Sequence, residues 1–99
     1  MFRVTRTFTR PNTEVLWHFQ VLDGSYFRTT YLESGKCIFL NNQVSADGLL
    51  FYHEAYWQNK ELWEEHRQDP IMIEYFRLRD EHNQLNGIIA DETQTEDLE

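Results

Sequence analysis

Five side chains stand at spacings from which chemistry could be built: Arg6, Phe51, His53, Trp57 and His66. Phe51, His53, Ala55 and Trp57 fall on alternate positions of one extended stretch, and so share one face of a strand. His66 follows at a position where a helix would turn it back towards that face. A neutral imidazole there can take a proton from a phenol or quinol, and an indole wall can hold an aromatic ring by stacking, leaving oxygen to react with the activated ring. Such a reaction needs no cofactor. His66, Trp57 and His53 are therefore the candidate catalytic residues, and Phe51 and Arg6 the candidate ligand contacts, with Arg6 suited to a carboxylate or oxyanion. Each has a plainer use: the rings and imidazoles can be packing, and Arg6 can be half of an ion pair, for example with Glu54.

Other chemistries find little support. His53-Glu54 does not open an HExxH motif, because position 57 is Trp, and His18, His66 and His82 lie on separate elements without ligand spacing, so no metal site is expected. Gly24, Gly35, Gly48 and Gly87 all stand at element ends, so none belongs to a phosphate-binding loop, and no Ser, His and acid arrangement is readable. The single cysteine, Cys37, sits in the apolar run KCIFL with no cation beside it, and reads as a buried, inert thiol of an intracellular protein. Glu61, Glu64, Glu65 and the run Arg77, Arg79, Asp80, Glu81 read as solvated helix faces.

The elements that must position these residues follow from period and punctuation. Phe2, Val4, Arg6 and Phe8 alternate with Arg3, Thr5, Thr7 and Thr9, which predicts a first strand ended by Arg10-Pro11-Asn12. Thr13 to Leu22 fits neither period cleanly and is read as an extended or irregular connection. Asp23 to Ser34 repeats its rings at helical spacing, with Gly35 at the position after the helix. An apolar strand over Cys37 to Leu40, a polar continuation to Ser45 and an Asp47-Gly48 turn then predict a hairpin with the aromatic strand Leu49 to Trp57. Asn59 can cap the next helix, whose inner face carries Leu62, Trp63 and His66. Asp69-Pro70 breaks it and opens another, patterned through Ile71, Tyr75, Leu78, His82 and Leu85, with Met72 and Phe76 beside them, until Gly87. Ile88 to Ala90 makes a short last strand. The order βαββαβ is the ferredoxin-like one, an α+β domain with an antiparallel sheet.

The segment from the strand-end Trp57 through His66 to Asp69-Pro70 resembles the dimeric α/β-barrel superfamily, in particular its antibiotic-biosynthesis-monooxygenase-like branch. The resemblance implies two ferredoxin-like sheets packed into a barrel across a homodimer, with the last strand or tail reaching over the partner. It also implies a pocket between strand and helix that works without a cofactor.

Composition bounds what remains. Ninety-nine residues make one domain, for which a partner subunit would help bury the 15% of residues that are aromatic. Nine basic against seventeen acidic residues give a net charge of −8, which disfavours nucleic acid and anionic membranes. No apolar run approaches the roughly 20 residues of a membrane span, and the alternating N-terminus lacks a signal-peptide core, so a cytoplasmic protein is expected. The tail, about residues 92–99, is acidic and is expected to be solvated and mobile. Two functions fit. One is a non-catalytic binding or accessory dimer, favoured by Ala55 standing where the family often has an acid. The other is a cofactor-independent monooxygenase of small phenols or quinols, which an open cavity beside Trp57 and His66 would favour.

Overall fold

Alternating β-branched and aromatic residues make Phe2–Thr9 a strand, β1, in the computed structural model, which describes residues 1–98. Glu99 lies outside the described residues. The connection read as extended or irregular contains one short helix, α1 (His18–Val21). Its turn is held by the Gln20 side chain, which accepts from the Trp17 backbone N–H at 2.8 Å. The expected first helix starts as α2 (Ser25–Phe27) and passes directly into a π-helical stretch, Arg28–Leu32, closed by a bond from the Glu33 N–H to the Arg28 carbonyl at 2.7 Å. Gly35, at φ 80°, ends this segment in a conformation that a side chain would strain.

The strands β2 (Cys37–Leu40), β3 (Gln43–Val44) and β4 (Leu50–Trp57) come next, with the Asp47-Gly48 turn joining β3 to β4. Asn59 caps α3 (Lys60–Gln68) by accepting from the Leu62 N–H at 2.9 Å. Asp69 caps α4 (Pro70–Leu85), with Pro70 in the first turn where its missing N–H costs nothing. The chain closes with β5 (Ile89–Ala90) and β6 (Gln94–Asp97).

All pairings are antiparallel, and the sheet runs β2-β4-β1-β5, with β3 also on β4 and β6 also on β1. This is the α+β, ferredoxin-like arrangement that the order of elements predicts. Helices cover one face. There the register sets Phe2 opposite Trp57, Val4 opposite Ala55, Arg6 opposite His53 and Phe8 opposite Phe51. Two apolar clusters form on this face: Phe2, Val4, Ala55 and Trp57 with Tyr31, Cys37 and Met72, and Phe8 and Phe51 with Trp17 and Ile88. Cys37 is fully buried, and burial pushes its thiol up to about 11, the inert state its surroundings predict.

Two expectations change. The inward stripe of α4 runs through Met72, Phe76, Arg79 and Asn83, whereas Ile71 and Leu85, read as inner positions, are exposed. The helix is rotated by about one residue from the apolar pattern, because the polar Arg79 and Asn83 sit on its buried side. In the tail, Gln94–Asp97 is a strand whose backbone pairs with β1, although its side chains remain in solvent. The free edge of β1 offers hydrogen-bonding groups that would otherwise face water, and Arg3 meets Glu96 at 3.3 Å, offsetting part of the acidic repulsion.

Candidate functional site

Between the two apolar clusters the inner sheet face is interrupted by the register pair Arg6 and His53, and there the core opens into a cavity of about 440 Å³. This volume falls in the range of small-molecule pockets, about 300–1,000 Å³. Phe51, His53 and Trp57 line it from β4, Arg6 from β1 and His66 from α3, so all five residues picked from the sequence border one space. Alternation put four of them on the same sheet face. His66 joins them because α3 turns Leu62, Trp63 and His66 inward while Glu61, Glu64 and Glu65 stay in water.

His66 is 8% exposed, with its ring centre 4.7 Å from that of Trp57, 5.2 Å from Tyr31 and 5.3 Å from Phe76. Burial pushes its pKa down to about 4; the Trp63 carbonyl pulls the other way, although no hydrogen bond of ordinary geometry reaches Nδ1. His53 is likewise held down to about 4, first by burial and then by the charges of Arg79 and Arg6. Its Nδ1 lies 2.8 Å from Asn42 Oδ1. An amide oxygen only accepts, so Nδ1 carries the proton and Nε2 keeps its lone pair. Both imidazoles are neutral at pH 7.

The Trp57 end is braced from outside the cavity. Asp69 accepts from the Tyr26 and Tyr31 hydroxyls at 2.5 and 2.6 Å while its other oxygen caps α4, so one carboxylate ties the first helical segment to the start of α4. These bonds hold the Asp69 pKa down. Glu54 points to the other sheet face, where Arg3 pairs with it at 2.8 Å and Asn41 and Tyr52 donate to it. It is therefore not the partner of Arg6. Instead, Arg6 Nε donates to the Asp91 carbonyl at 3.0 Å, and its guanidinium lies 5.2 Å from the Phe8 ring centre.

Two further residues enter the site. His18, on α1, is 8% exposed, lines the cavity and has an unpartnered Nδ1, and burial drives its pKa to about 3. Arg79, read as solvated, lines the cavity with a side chain 16% exposed and lies over Phe76 at 4.9 Å. Its spacing of seven from Met72 is the signal that places it on the inner face. Among the described residues, no group of three or more His, Cys, Asp or Glu is close enough to hold a metal ion.

No protein-family profile matches the sequence, and no curated protein sequence does either. Solved structures do share its fold. A candidate antibiotic biosynthesis monooxygenase from Deinococcus radiodurans superposes with a TM-score of 0.64 at 11% identity, over 100% of this chain and 93% of that one. A conserved protein of unknown function from Bacteroides thetaiotaomicron, described as a possible oxidoreductase, gives a TM-score of 0.64 at 18% identity, over 96% of this chain and 92% of that one. The single chain thus has the ferredoxin-like fold that the Trp57-to-His66 resemblance implies.

Proposed function

We propose that the cavity binds a small phenolic or quinol ring and that the chain is a cofactor-independent monooxygenase acting on it. The observation that carries this reading is that the neutral His66 ring, its centre 4.7 Å from that of Trp57, borders an open cavity. Trp57 walls the end of the cavity that holds the ring, Phe51 closes the other end, and His66, helped by His53, accepts the phenol proton. The electron-rich ring adds O2 at a carbon bearing hydrogen, and the hydroperoxide loses water, so a phenol and O2 give a quinone and water. The substrate supplies the electrons, and no separate reductant enters. The names of both structural neighbours agree with oxidation chemistry.

A phenol titrates near 10 and His66 near 4, a gap of about six units, worth roughly 8 kcal/mol before the two charges formed stabilise each other. That gap and Ala55 favour the second reading, a protein that binds the ring without turning it over. An oxygen electrode separates them. Wild-type protein is expected to consume O2 with at least one member of a panel of simple phenols and naphthoquinols, and His66→Ala to reduce the rate by about 10²–10⁴-fold. Binding without any O2 consumption above the protein-free rate would leave only the second reading.

The proposal includes a homodimer. Phe39 and Leu50 are exposed on β2 and β4, and half-buried Tyr56 lies 5.7 Å from Phe39, giving a ring-rich surface away from the cavity. Light scattering should return about twice the 12.1 kDa chain mass; the chain mass alone at micromolar concentration would refute the dimer.

A further inference from the structure

The cavity's charge is opposite to that of the protein. The chain carries −8 overall, yet the ionisable groups lining the cavity are Arg6, Arg67, Arg79, His18, His53, His66 and Tyr75, with no aspartate or glutamate among the described residues. The polarity is also concentrated. Arg6 and Arg79 lie 5.2 and 5.9 Å from the same Phe8 ring centre, and His18 lies 5.5 Å from it. His53 is opposite Arg6 in the strand register.

The guanidinium groups are only partly used. Arg6 spends Nε on the Asp91 carbonyl and forms no ion pair among the described residues, so its two terminal nitrogens are uncommitted. Arg79 spends Nε on Asp80 at 3.0 Å, which leaves its terminal nitrogens uncommitted too. Asp80 and Asp91, the acids whose charges act on Arg6, do not line the cavity. Two like charges held near one ring repel each other, and an anion between them would relieve that repulsion while meeting four N–H-bearing terminal nitrogens. The two neutral histidines add hydrogen-bonding capacity without competing charge.

We propose that this Phe8 end of the cavity is a carboxylate subsite, so that the ligand is an aromatic carboxylate: its acid group lies between Arg6 and Arg79, and its ring extends from there towards Trp57. The proposal rests on the ring-binding reading of the cavity but not on turnover. A planar guanidinium pairs with a planar carboxylate through two parallel bonds, whereas a neutral phenol offers one acceptor. The subsite therefore selects for the acid.

The test compares two probes that differ by one carboxylate, 1-hydroxy-2-naphthoate and 1-naphthol, titrated into the full chain without oxygen and followed by calorimetry. Wild-type protein is expected to bind the acid at least about tenfold more tightly than the naphthol. Arg6→Met and Arg79→Met should each cut that preference several-fold, and Arg6→Lys should retain part of it. Unchanged circular dichroism in each variant controls for folding. Equal affinity for the two probes in wild type would overturn the carboxylate subsite and leave the ring pocket standing. A preference that survives in both methionine variants would overturn the assignment to Arg6 and Arg79. Binding of neither probe would overturn the subsite together with the ring-binding reading on which it rests.

Discussion

Urea-unfolding midpoints are expected to fall steadily as the pH is lowered from about 7 towards 4. His18, His53 and His66 have folded-state pKa values of about 3, 4 and 4, against an ordinary 6.5, and burial is the main cause in each. A histidine so depressed is neutral in the folded protein and takes up a proton on unfolding once the pH is below 6.5. The unfolded state then binds more protons, so stability rises with pH across this window. The contribution is complete above about 6.5 and drains away as the pH falls to the folded value. For His66 a depression of this size is worth on the order of 3 kcal/mol; His18 contributes comparably and His53 in the same direction. Against a domain stability of about 5–15 kcal/mol, that sum is decisive. His66→Phe should flatten the pH profile. Equal midpoints at about pH 7 and pH 5 would mean that the imidazoles are solvated and the cavity description is wrong. Urea midpoints are the measure of choice because the net charge vanishes near pH 4.9, where scans by turbidity would report association.

Trp57→Ala is expected to cost about 3–5 kcal/mol. Trp57 is 1% exposed and meets Phe27, Tyr31 and His66 at centroid distances of 6.1, 5.9 and 4.7 Å. Its removal would extend an existing void, and the surrounding strands cannot collapse into it because β1 and β2 hold β4 on both of its edges. Loss of activity in this variant would therefore not distinguish a wall for the ligand from a support for the sheet. Trp57→Phe keeps an aromatic face at lower cost and is the variant to assay for ring binding. An unchanged urea midpoint in Trp57→Ala would contradict its place in the core.

The parts of this site legible in the sequence are those governed by short-range rules. Alternation put Phe51, His53 and Trp57 on one face, the Asn59 cap fixed the phase of α3, and that phase brought His66 to Trp57. Arg79 and His18 were not legible. Arg79 stands between Arg77 and Asp80 in a charged run, and charge type outweighed its position seven residues after Met72, although Arg77 itself does lie outside, paired with Glu74 and Glu81. His18 belongs to a helix of four residues, too short for a period to register. The tail misled for a related reason: composition predicts solvation of side chains, which holds for Gln94–Asp97, but says nothing about a strand edge waiting for backbone partners.

The π-helical stretch Arg28–Leu32 amounts to one residue more than an α-helix would need between the same end points. Each residue turns a helix by about 100°, so the extra one decides which side chains upstream share a face with Tyr31. At present Tyr26 and Tyr31 both reach Asp69, and Phe27 borders the cavity. A chain lacking the exposed Thr29 would regain regular i→i+4 bonds, yet it would swing either the tyrosine or the phenylalanine out of place. The irregular turn thus works as a phase adjuster, and the sorting of rings between carboxylate and cavity is written into a single codon's worth of length.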